Sequence, residues 1–260
     1  MKKLFFILVL GIIALNLTSC LPTGANREEG TFPAVVSYNP KEEVTSLLTV
    51  VGELAAPGLA TSGLRKGDCI IANFTLDWDN QPEDASIYYA SNITHLFVEQ
   101  DYAMVQSDFD EAEVILPDTY LLPIESLSPL AYHPILEGKF FFYFLHRASQ
   151  QQTVNYMAIV KPNGEDSANE PVDIYVIAEK LNNPGTSDMT FENFFAFDMD
   201  SVIRELGKED TYEAGSTVEY SVKELKVRIK YCTGFDNNDN PVYELYQYNG
   251  DSIITLSVYI

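Results

Sequence analysis

The chain has 260 residues, with 16 Lys and Arg against 38 Asp and Glu, so its formal net charge is −22. Nucleic acid and anionic lipid surfaces reward clustered Lys and Arg, so this balance argues against both as partners. Hydrophobic residues make up 46% of the chain and aromatic residues 12%, which is too apolar for a disordered acidic tail. The length then allows one large β domain or two smaller ones.

The first twenty residues look like an export signal. Two lysines precede residues 4–15 (LFFILVLGIIAL), an apolar stretch that is too short to cross a bilayer, since a spanning helix needs ~20 apolar residues. Residues 17–20 (LTSC) follow, where an ordinary secretory signal would end in an A-x-A-like site. This segment resembles the bacterial lipobox. An ordinary cleaved signal, in which Cys20 is incidental, is the alternative.

The lipobox resemblance implies cleavage before Cys20, a diacylglycerol thioether on its thiol, and acylation of the new amino group by fatty acids such as palmitate. Several acyl chains make a stable membrane anchor, because each buried CH₂ contributes ~0.8 kcal/mol. Leu21 occupies the position where Asp would favour retention in the inner membrane. We therefore expect a protein of the bacterial cell envelope that touches the outer membrane through its lipid.

Composition divides the rest of the chain. Residues 1–19 are the predicted signal peptide, and residues 20–31 are a polar tether with Pro and Gly. Residues 32–118 form a first predicted β domain, with strands at 32–38, 45–51, 69–78 and 87–98. In the third of these strands, period-two alternation puts one set of side chains on one face, namely Ile70, Ala72, Phe74, Leu76 and Trp78, and another set on the opposite face, namely Asn73, Thr75 and Asp77.

Residues 119–260 form a second predicted β domain after a proline-rich junction. Residues 139–147 (KFFFYFLHR) are apolar on both faces, so we expect a central strand, with His146 and Arg147 at its wet end. Further strands are predicted at 153–160, 172–178, 218–231, 242–248 and 253–259, with a short helix at 201–207 capped by Asp200 and closed by Gly207. Strand 218–231 carries a basic stripe on its wet face: Lys226, Arg228 and Lys230.

The order of these elements resembles the NigD-like lipoproteins. The resemblance covers the lipobox and tether, a Gly-Asp turn into a hydrophobic strand (residues 67–79), the Phe-rich strand, a Phe-Asp segment (residues 197–198) and a late KVRIKY strand. It implies an all-β protein, an N-terminal OB-type barrel followed by a C-terminal β-sandwich with little helix. It brings no catalytic or ligand residues.

The sequence contains no nucleotide-binding, serine-hydrolase or zinc-protease motif. Two acidic loops begin like calcium loops, one with Asp77, Asp79 and Gln81, the other with Asp236, Asn238 and Asn240. Each has Pro where the loop needs Gly and lacks the closing Glu, so we interpret both as polar hairpins. We predict no catalytic residue, no metal site and no cofactor.

Two further questions concern aromatic and sulfur side chains. Four tyrosines beside loops, Tyr88, Tyr89, Tyr246 and Tyr248, are candidates for a sugar-stacking platform, although alternating aromatics more often fill a β core. Cys69 and Cys232 could form a disulfide in an exported protein, although two buried free thiols are the favoured alternative.

Our functional hypothesis is a non-enzymatic outer-membrane lipoprotein that acts as a binding or accessory module, with an envelope protein or a glycan as ligand and no nucleic acid. The alternative is a pilus or adhesin subunit in which residues 253–260 pair with a neighbouring chain by strand addition. A hydrolase with an unrecognised site is a third hypothesis. It would need a deep pocket that holds two carboxylates whose pKa values are shifted in opposite directions.

Overall fold

The computed structural model describes residues 26–55, 58–59, 62–83, 87–109, 121–162, 170–182, 188–214 and 218–259. Strands dominate these ranges, and the only α-helix in them has seven residues. The predicted all-β fold is confirmed. Clustering divides the chain into two compact units between Val98 and Glu99.

The first unit contains β1 (Arg27–Asn39), β2 (Val44–Thr49), β3 (Gly52–Ala55), β4 (Cys69–Asp77) and β5 (Tyr88–Tyr102) as far as Val98. β1 pairs antiparallel with both β2 and β4, β2 pairs with β3, and β4 pairs with β5. A parallel pairing of β3 with β5, at Leu54 and Tyr88, closes the ring β1–β2–β3–β5–β4–β1. This is the five-stranded barrel of an OB fold.

Small and aliphatic side chains fill the interior of this barrel. Ala34, Val36, Leu47 and Leu54 come from the first three strands, and β4 adds the even-numbered series that alternation predicted: Ile70, Ala72, Phe74 and Leu76. Asn73 on the opposite face of β4 is exposed, and Thr75 and Asp77 are half-exposed. The predicted division of β4 into an apolar and a polar face is confirmed.

The second unit has two sheets. One contains residues 99–102 of β5 beside β12 (Asp188–Asp198), β9 (Lys139–Ser149) and β8 (Ile124–Leu136). The other has the order β13 (Lys208–Ala214), β14 (Val218–Phe235), β11 (Val172–Lys180), β10 (Val154–Lys161) and β6 (Met104–Val105). Three short strands complete it: β7 (Leu121–Leu122) on β11, with β15 (Pro241–Leu245) and β16 (Ile254–Tyr259) on β14.

A group of phenylalanines packs among aliphatic side chains in the core shared by the two sheets. Phe140, Phe142 and Phe144 of β9 are fully buried there, together with aliphatic side chains from β11, β14 and β16. β9 lies between β12 and β8, so the predicted central strand is confirmed. On its other face Phe141 is fully buried, whereas Tyr143 and Leu145 are only half-buried.

The predicted helix is α1 (Asp200–Leu206), and Val202 and Ile203 point into the core as expected. Its N-terminus differs from the prediction, because the backbone N–H of Asp200 donates to the Oδ1 of Asp198 at 3.0 Å. Asp200 instead forms an ion pair with Arg204 one turn later, at 2.8 Å. The N–H of Gly207 closes the helix on the carbonyl of Ile203, at 2.8 Å.

The element bounds refine the proposed domain limits. Residues 27–31, assigned to the tether by composition, form the start of β1, because they pair with β4 despite their polar sequence. Residues 99–109, assigned to the barrel, cluster with the second unit, where β6 pairs with β10. Cys69 and Cys232 are both buried and no disulfide joins them, in agreement with the favoured alternative.

Candidate functional site

A polar groove of about 310 Å³ lies on the outer wall of the barrel, across β1, β4 and β5. Its lining combines one carboxylate with hydroxyl and amide side chains: Glu29, Gly30, Thr31, Asn73, Phe74, Thr75 and Asn92. All of these residues belong to the first unit. We define this set as the barrel groove.

Strand register builds the barrel groove in two rows. Thr31 pairs with Asn73, and Asn73 pairs with Thr94 on the next strand. One rung further, Glu29 pairs with Thr75, which pairs with Ser91. Between the two rows β4 advances by two residues and β5 by three, so β5 carries a bulge.

Asn92 occupies this bulge with a φ of 55°, in the left-handed region that Asn tolerates better than most residues. Asn92 lies at this register shift and is part of the lining of the groove. Bulges commonly re-aim a side chain beside a functional site. The groove is therefore a consequence of irregular pairing at one point in the sheet.

The hydrogen bonds within the groove leave part of its capacity unused. The Thr31 hydroxyl donates to Asn73 Oδ1, and Asn73 Nδ2 donates to Thr94 Oγ1 at 3.3 Å. The side chains of Glu29, Thr75 and Asn92 have no hydrogen-bond partner among the described residues. These groups together offer a carboxylate, a hydroxyl and an amide, which can accept and donate hydrogen bonds to a ligand.

Tyr89 is the predicted stacking residue that lies beside this groove. By alternation along β5 it shares the outer face with Ser91, and 42% of its surface is exposed. The Gln81 side chain fixes its backbone, with Oε1 accepting the Tyr89 N–H at 2.7 Å and Nε2 donating to the Tyr89 carbonyl at 3.0 Å. Tyr88 points the other way, packs on the barrel core and meets the Trp78 ring edge-on at 5.2 Å.

Tyr246 and Tyr248, the other two candidates, belong to the second unit. Tyr246 packs against the sandwich core, and burial raises the pKa of its hydroxyl. Tyr248 is 47% exposed beside a tight turn that pairs it with Asp251. Core packing therefore accounts for Tyr88 and Tyr246, and sugar stacking remains a prediction for Tyr89 and Tyr248.

The two acidic loops use their carboxylates internally. Asp236 Oδ1 accepts the backbone N–H groups of Asn238 and Asn240 at 2.8 and 2.9 Å, and these bonds, Asn240 first, lower the pKa of Asp236. In the other loop the side chains of Asn80 and Arg27 lower the pKa of Asp77. No group of three or more His, Cys, Asp and Glu in the described part of the chain is arranged to hold a metal ion.

His146 contradicts its prediction as part of a wet strand end. Only 2% of its surface is exposed, and its Nε2 lies 2.5 Å from the hydroxyl of Tyr156 on β10. Burial lowers the pKa of His146, against smaller opposing effects of the Arg147 backbone and Glu125. The prediction failed because β9 continues to Ser149 and because Tyr156 reaches the ring from another strand. Arg147 is exposed and forms an ion pair with Glu125 at 2.9 Å.

The predicted basic stripe on β14 is partly neutralised. Asp173 on β11 is almost fully buried and binds Arg228 Nε at 2.7 Å and Lys230 Nζ at 3.1 Å. Lys230 also donates to the hydroxyl of Tyr175 at 2.9 Å. Lys226 is exposed. This cluster stabilises the pairing of β11 with β14.

Cys20, the predicted lipidation site, lies outside the described residues. Across the described ranges, none of the helical segments has the length and apolar composition that a membrane span requires.

Comparisons with known proteins give one family match. Residues 24–93 match the family model of the lipoprotein OB domain. These residues include β1 to β4 and the start of β5. No curated protein matches the chain in sequence.

Three solved structures similar to this chain come from Bacteroides and Parabacteroides species. A protein of unknown function, DUF1344, from Bacteroides vulgatus is 12% identical, with a TM-score of 0.46 over 85% of this chain and 90% of its own. A putative toxin-related protein from Parabacteroides distasonis is 14% identical, with a TM-score of 0.47 over 86% and 96%. A NigD-like immunity protein from Bacteroides caccae is 8% identical, with a TM-score of 0.42 over 84% and 91%.

Proposed function

We propose that the chain, which matches the lipoprotein OB domain over residues 24–93 and resembles the NigD-like lipoproteins in the order of its elements, is a non-enzymatic binding or accessory module of the bacterial envelope. In this proposal, lipid on Cys20 holds the protein on the outer membrane. The lipoprotein OB domain match is the observation that carries the proposal, because it begins four residues after the lipobox cysteine.

The geometry of the barrel groove supports binding rather than catalysis. Its lining holds a single carboxylate, Glu29, and no histidine, cysteine or lysine. Glycoside hydrolysis needs two carboxyl groups about 5–10 Å apart, and nucleophilic catalysis needs a nucleophile beside a base. The buried pair of His146 and Tyr156 belongs to the sandwich core, and its exposure of 2% at His146 leaves no room for substrate.

The structure offers no support for the pilus alternative. The strand that such a subunit would exchange is β16, which pairs antiparallel with β14 of its own chain over residues 222–227. Ile254, Leu256 and Val258 are part of the sandwich core. Exchange would remove these three side chains from the core, so we favour the accessory module.

Cys20→Ala tests the anchor. We expect the precursor to accumulate without acyl label and the protein to leave the membrane fraction, because Ala offers no thiol for the diacylglycerol. Metabolic labelling with a fatty acid followed by membrane sedimentation measures both effects. Ser19→Ala, a small-for-small change next to the same site, is the control and should keep label and membrane association.

The outer-membrane location has a separate test. Leu21→Asp should keep the acyl label but move the protein to the inner-membrane fraction of a density gradient. If Cys20→Ala stays with membranes, the lipid anchor is wrong. If wild-type protein bands with the inner membrane, only the location is wrong.

A further inference from the structure

We propose that the barrel groove is a binding site for a neutral carbohydrate, with Tyr89 as the stacking residue at its edge. This inference deepens the binding role proposed above and rests on it. The site lies wholly within the first unit, on β1, β4 and β5. Four observations lead to it: the charge of the lining, its unused hydrogen-bonding groups, the exposure of Tyr89 and the bulge at Asn92.

The charge of the lining selects a ligand class. Glu29 is its only charged residue, and the whole chain has a net charge of −22. A phosphate, a sulfated sugar or an acidic peptide would meet a carboxylate with no cation in the lining to offset it. A cation would find one carboxylate where a divalent ion needs several oxygen ligands at short distance. With anionic ligands and divalent cations disfavoured, a neutral ligand fits this lining best.

Polarity narrows the class further. Apolar ligands enter sites lined mostly by hydrophobic and aromatic side chains. Here the lining side chains that reach the groove are hydroxyls, amides and a carboxylate, with Phe74 turned into the barrel core and 3% exposed. Each sugar hydroxyl both donates and accepts, and Glu29, Thr75 and Asn92 supply both kinds of partner without losing an existing bond. A polyhydroxylated ligand matches this set.

Two hydrogen bonds along the row Thr31–Asn73–Thr94 fix the Asn73 side chain within the groove. Thr31 and Thr94 hold the Asn73 amide from two sides, which fixes its orientation before any ligand arrives. A prealigned amide costs little conformational entropy on binding. Asn73 keeps a second N–H for a ligand, because its recorded bonds use one donor and one acceptor.

Tyr89 completes the site with an aromatic ring. Tyr89 is 42% exposed, on the same outer face of β5 as Ser91, which pairs with the groove residue Thr75. The Gln81 side chain forms hydrogen bonds with both the N–H and the carbonyl of Tyr89, which fixes the backbone that carries the ring. The apolar C–H face of a sugar ring can pack on the Tyr89 ring while the sugar hydroxyls reach the polar rows. This contact buries apolar surface, which favours binding.

The experiment measures binding of the full-length lipidated protein, in detergent micelles, to a printed array of neutral and anionic bacterial and host oligosaccharides. We expect binding to neutral glycans, followed by titration of the best one with variants. Thr75→Val removes a hydroxyl and keeps the shape, and Asn92→Gly removes the amide while tolerating the φ of 55°. Each should weaken binding about 2- to 10-fold, as expected for loss of one hydrogen bond.

Tyrosine variants separate stacking from other effects. Tyr89→Ala should weaken binding about tenfold, whereas Tyr89→Phe should stay within about threefold, because the ring rather than the hydroxyl makes the contact. Tyr38→Ala is the matched control, a similarly exposed tyrosine on β1 outside the groove lining, and should not change binding. Glu29→Gln should keep most of the affinity for a neutral ligand.

Three results would overturn the inference: no neutral glycan bound, binding confined to anionic glycans, or equal binding by wild type, Tyr89→Ala and Thr75→Val. None of these touches the lipid anchor, which Cys20→Ala tests by itself. Loss of the anchor with intact glycan binding would instead overturn the proposed location and leave the groove as a binding site.

Discussion

The barrel wall and the sandwich core use polar side chains differently. In the sandwich core, His146 Nε2 contacts the Tyr156 hydroxyl, and Asp173 binds two cations. In the barrel, polar groups on the outer wall retain unused donors and acceptors around Thr75 and Asn92. Their cores differ too, because the sandwich core adds a group of packed phenylalanines to its aliphatic side chains, whereas Phe74 is the one buried aromatic residue in the described barrel core.

This difference separates stability from binding. A committed polar group raises the specificity of packing and offers nothing to a ligand, whereas an uncommitted one on a rigid strand can exchange water for a ligand at low cost. We therefore expect substitutions at polar groups in the sandwich to change the free energy of unfolding. Equivalent substitutions on the barrel wall should change binding alone.

The largest expected effect is at the aromatic core. Phe142→Ala should lower the free energy of unfolding by about 3–5 kcal/mol, because it empties a fully buried site that contacts Phe140, Phe144 and Phe197. Denaturant unfolding measures it. The same change at Phe97, which is 57% exposed, should cost less than about 0.5 kcal/mol. Equal effects would contradict the assignment of the core.

The next effect concerns buried charge. Asp173→Asn should cost about 2–3 kcal/mol, because it leaves Arg228 and Lys230 without their shared carboxylate, with some relief from water at these two partly exposed cations. Glu125→Gln breaks the exposed ion pair with Arg147 and should cost less than about 0.5 kcal/mol. A loss at Asp173 no larger than at Glu125 would show that the cluster does not stabilise the sheet.

The third effect depends on pH. Because burial lowers the pKa of His146, this side chain becomes protonated in the unfolded chain below pH ~6.5 while it stays neutral in the folded chain. The free energy of unfolding should therefore fall as the pH drops below this value, by up to about 1.4 kcal/mol per pH unit from this group. Above this pH the stabilising contribution of neutral His146 is fully present. His146→Phe should flatten the profile between pH 7.5 and 5.5 in urea unfolding.

The smallest effects compare one hydroxyl from each unit. Tyr156→Phe should cost about 1 kcal/mol, because the buried Nε2 of His146 loses its partner. Thr75→Val should change the free energy of unfolding by less than about 0.5 kcal/mol, because its hydroxyl has no partner within the described ranges. Differential scanning calorimetry can compare the two. A larger loss at Thr75 would mean that its hydroxyl is already committed.

The sequence predicted correctly which side chains of a single strand are buried, because this depends on the alternation of residues along that strand. The two faces of β4 and the burial of the phenylalanines in β9 follow from period-two spacing, and both are confirmed. The barrel groove was not predicted, because its β1 and β4 residues are 42 or more positions apart in sequence and because its lining depends on a bulge in β5. His146 failed for a related reason: its partner Tyr156 lies on the next strand, and nothing near His146 in sequence signals it.

The position of β1 limits where the groove can work. Glu29 is nine residues after Cys20, and an extended chain covers at most ~3.5 Å per residue, so the link is no longer than about 32 Å. With lipid on Cys20, the groove would sample only the first few nanometres above the bilayer. Its ligand would then have to be a membrane-proximal sugar, or a longer glycan reaching down to that layer.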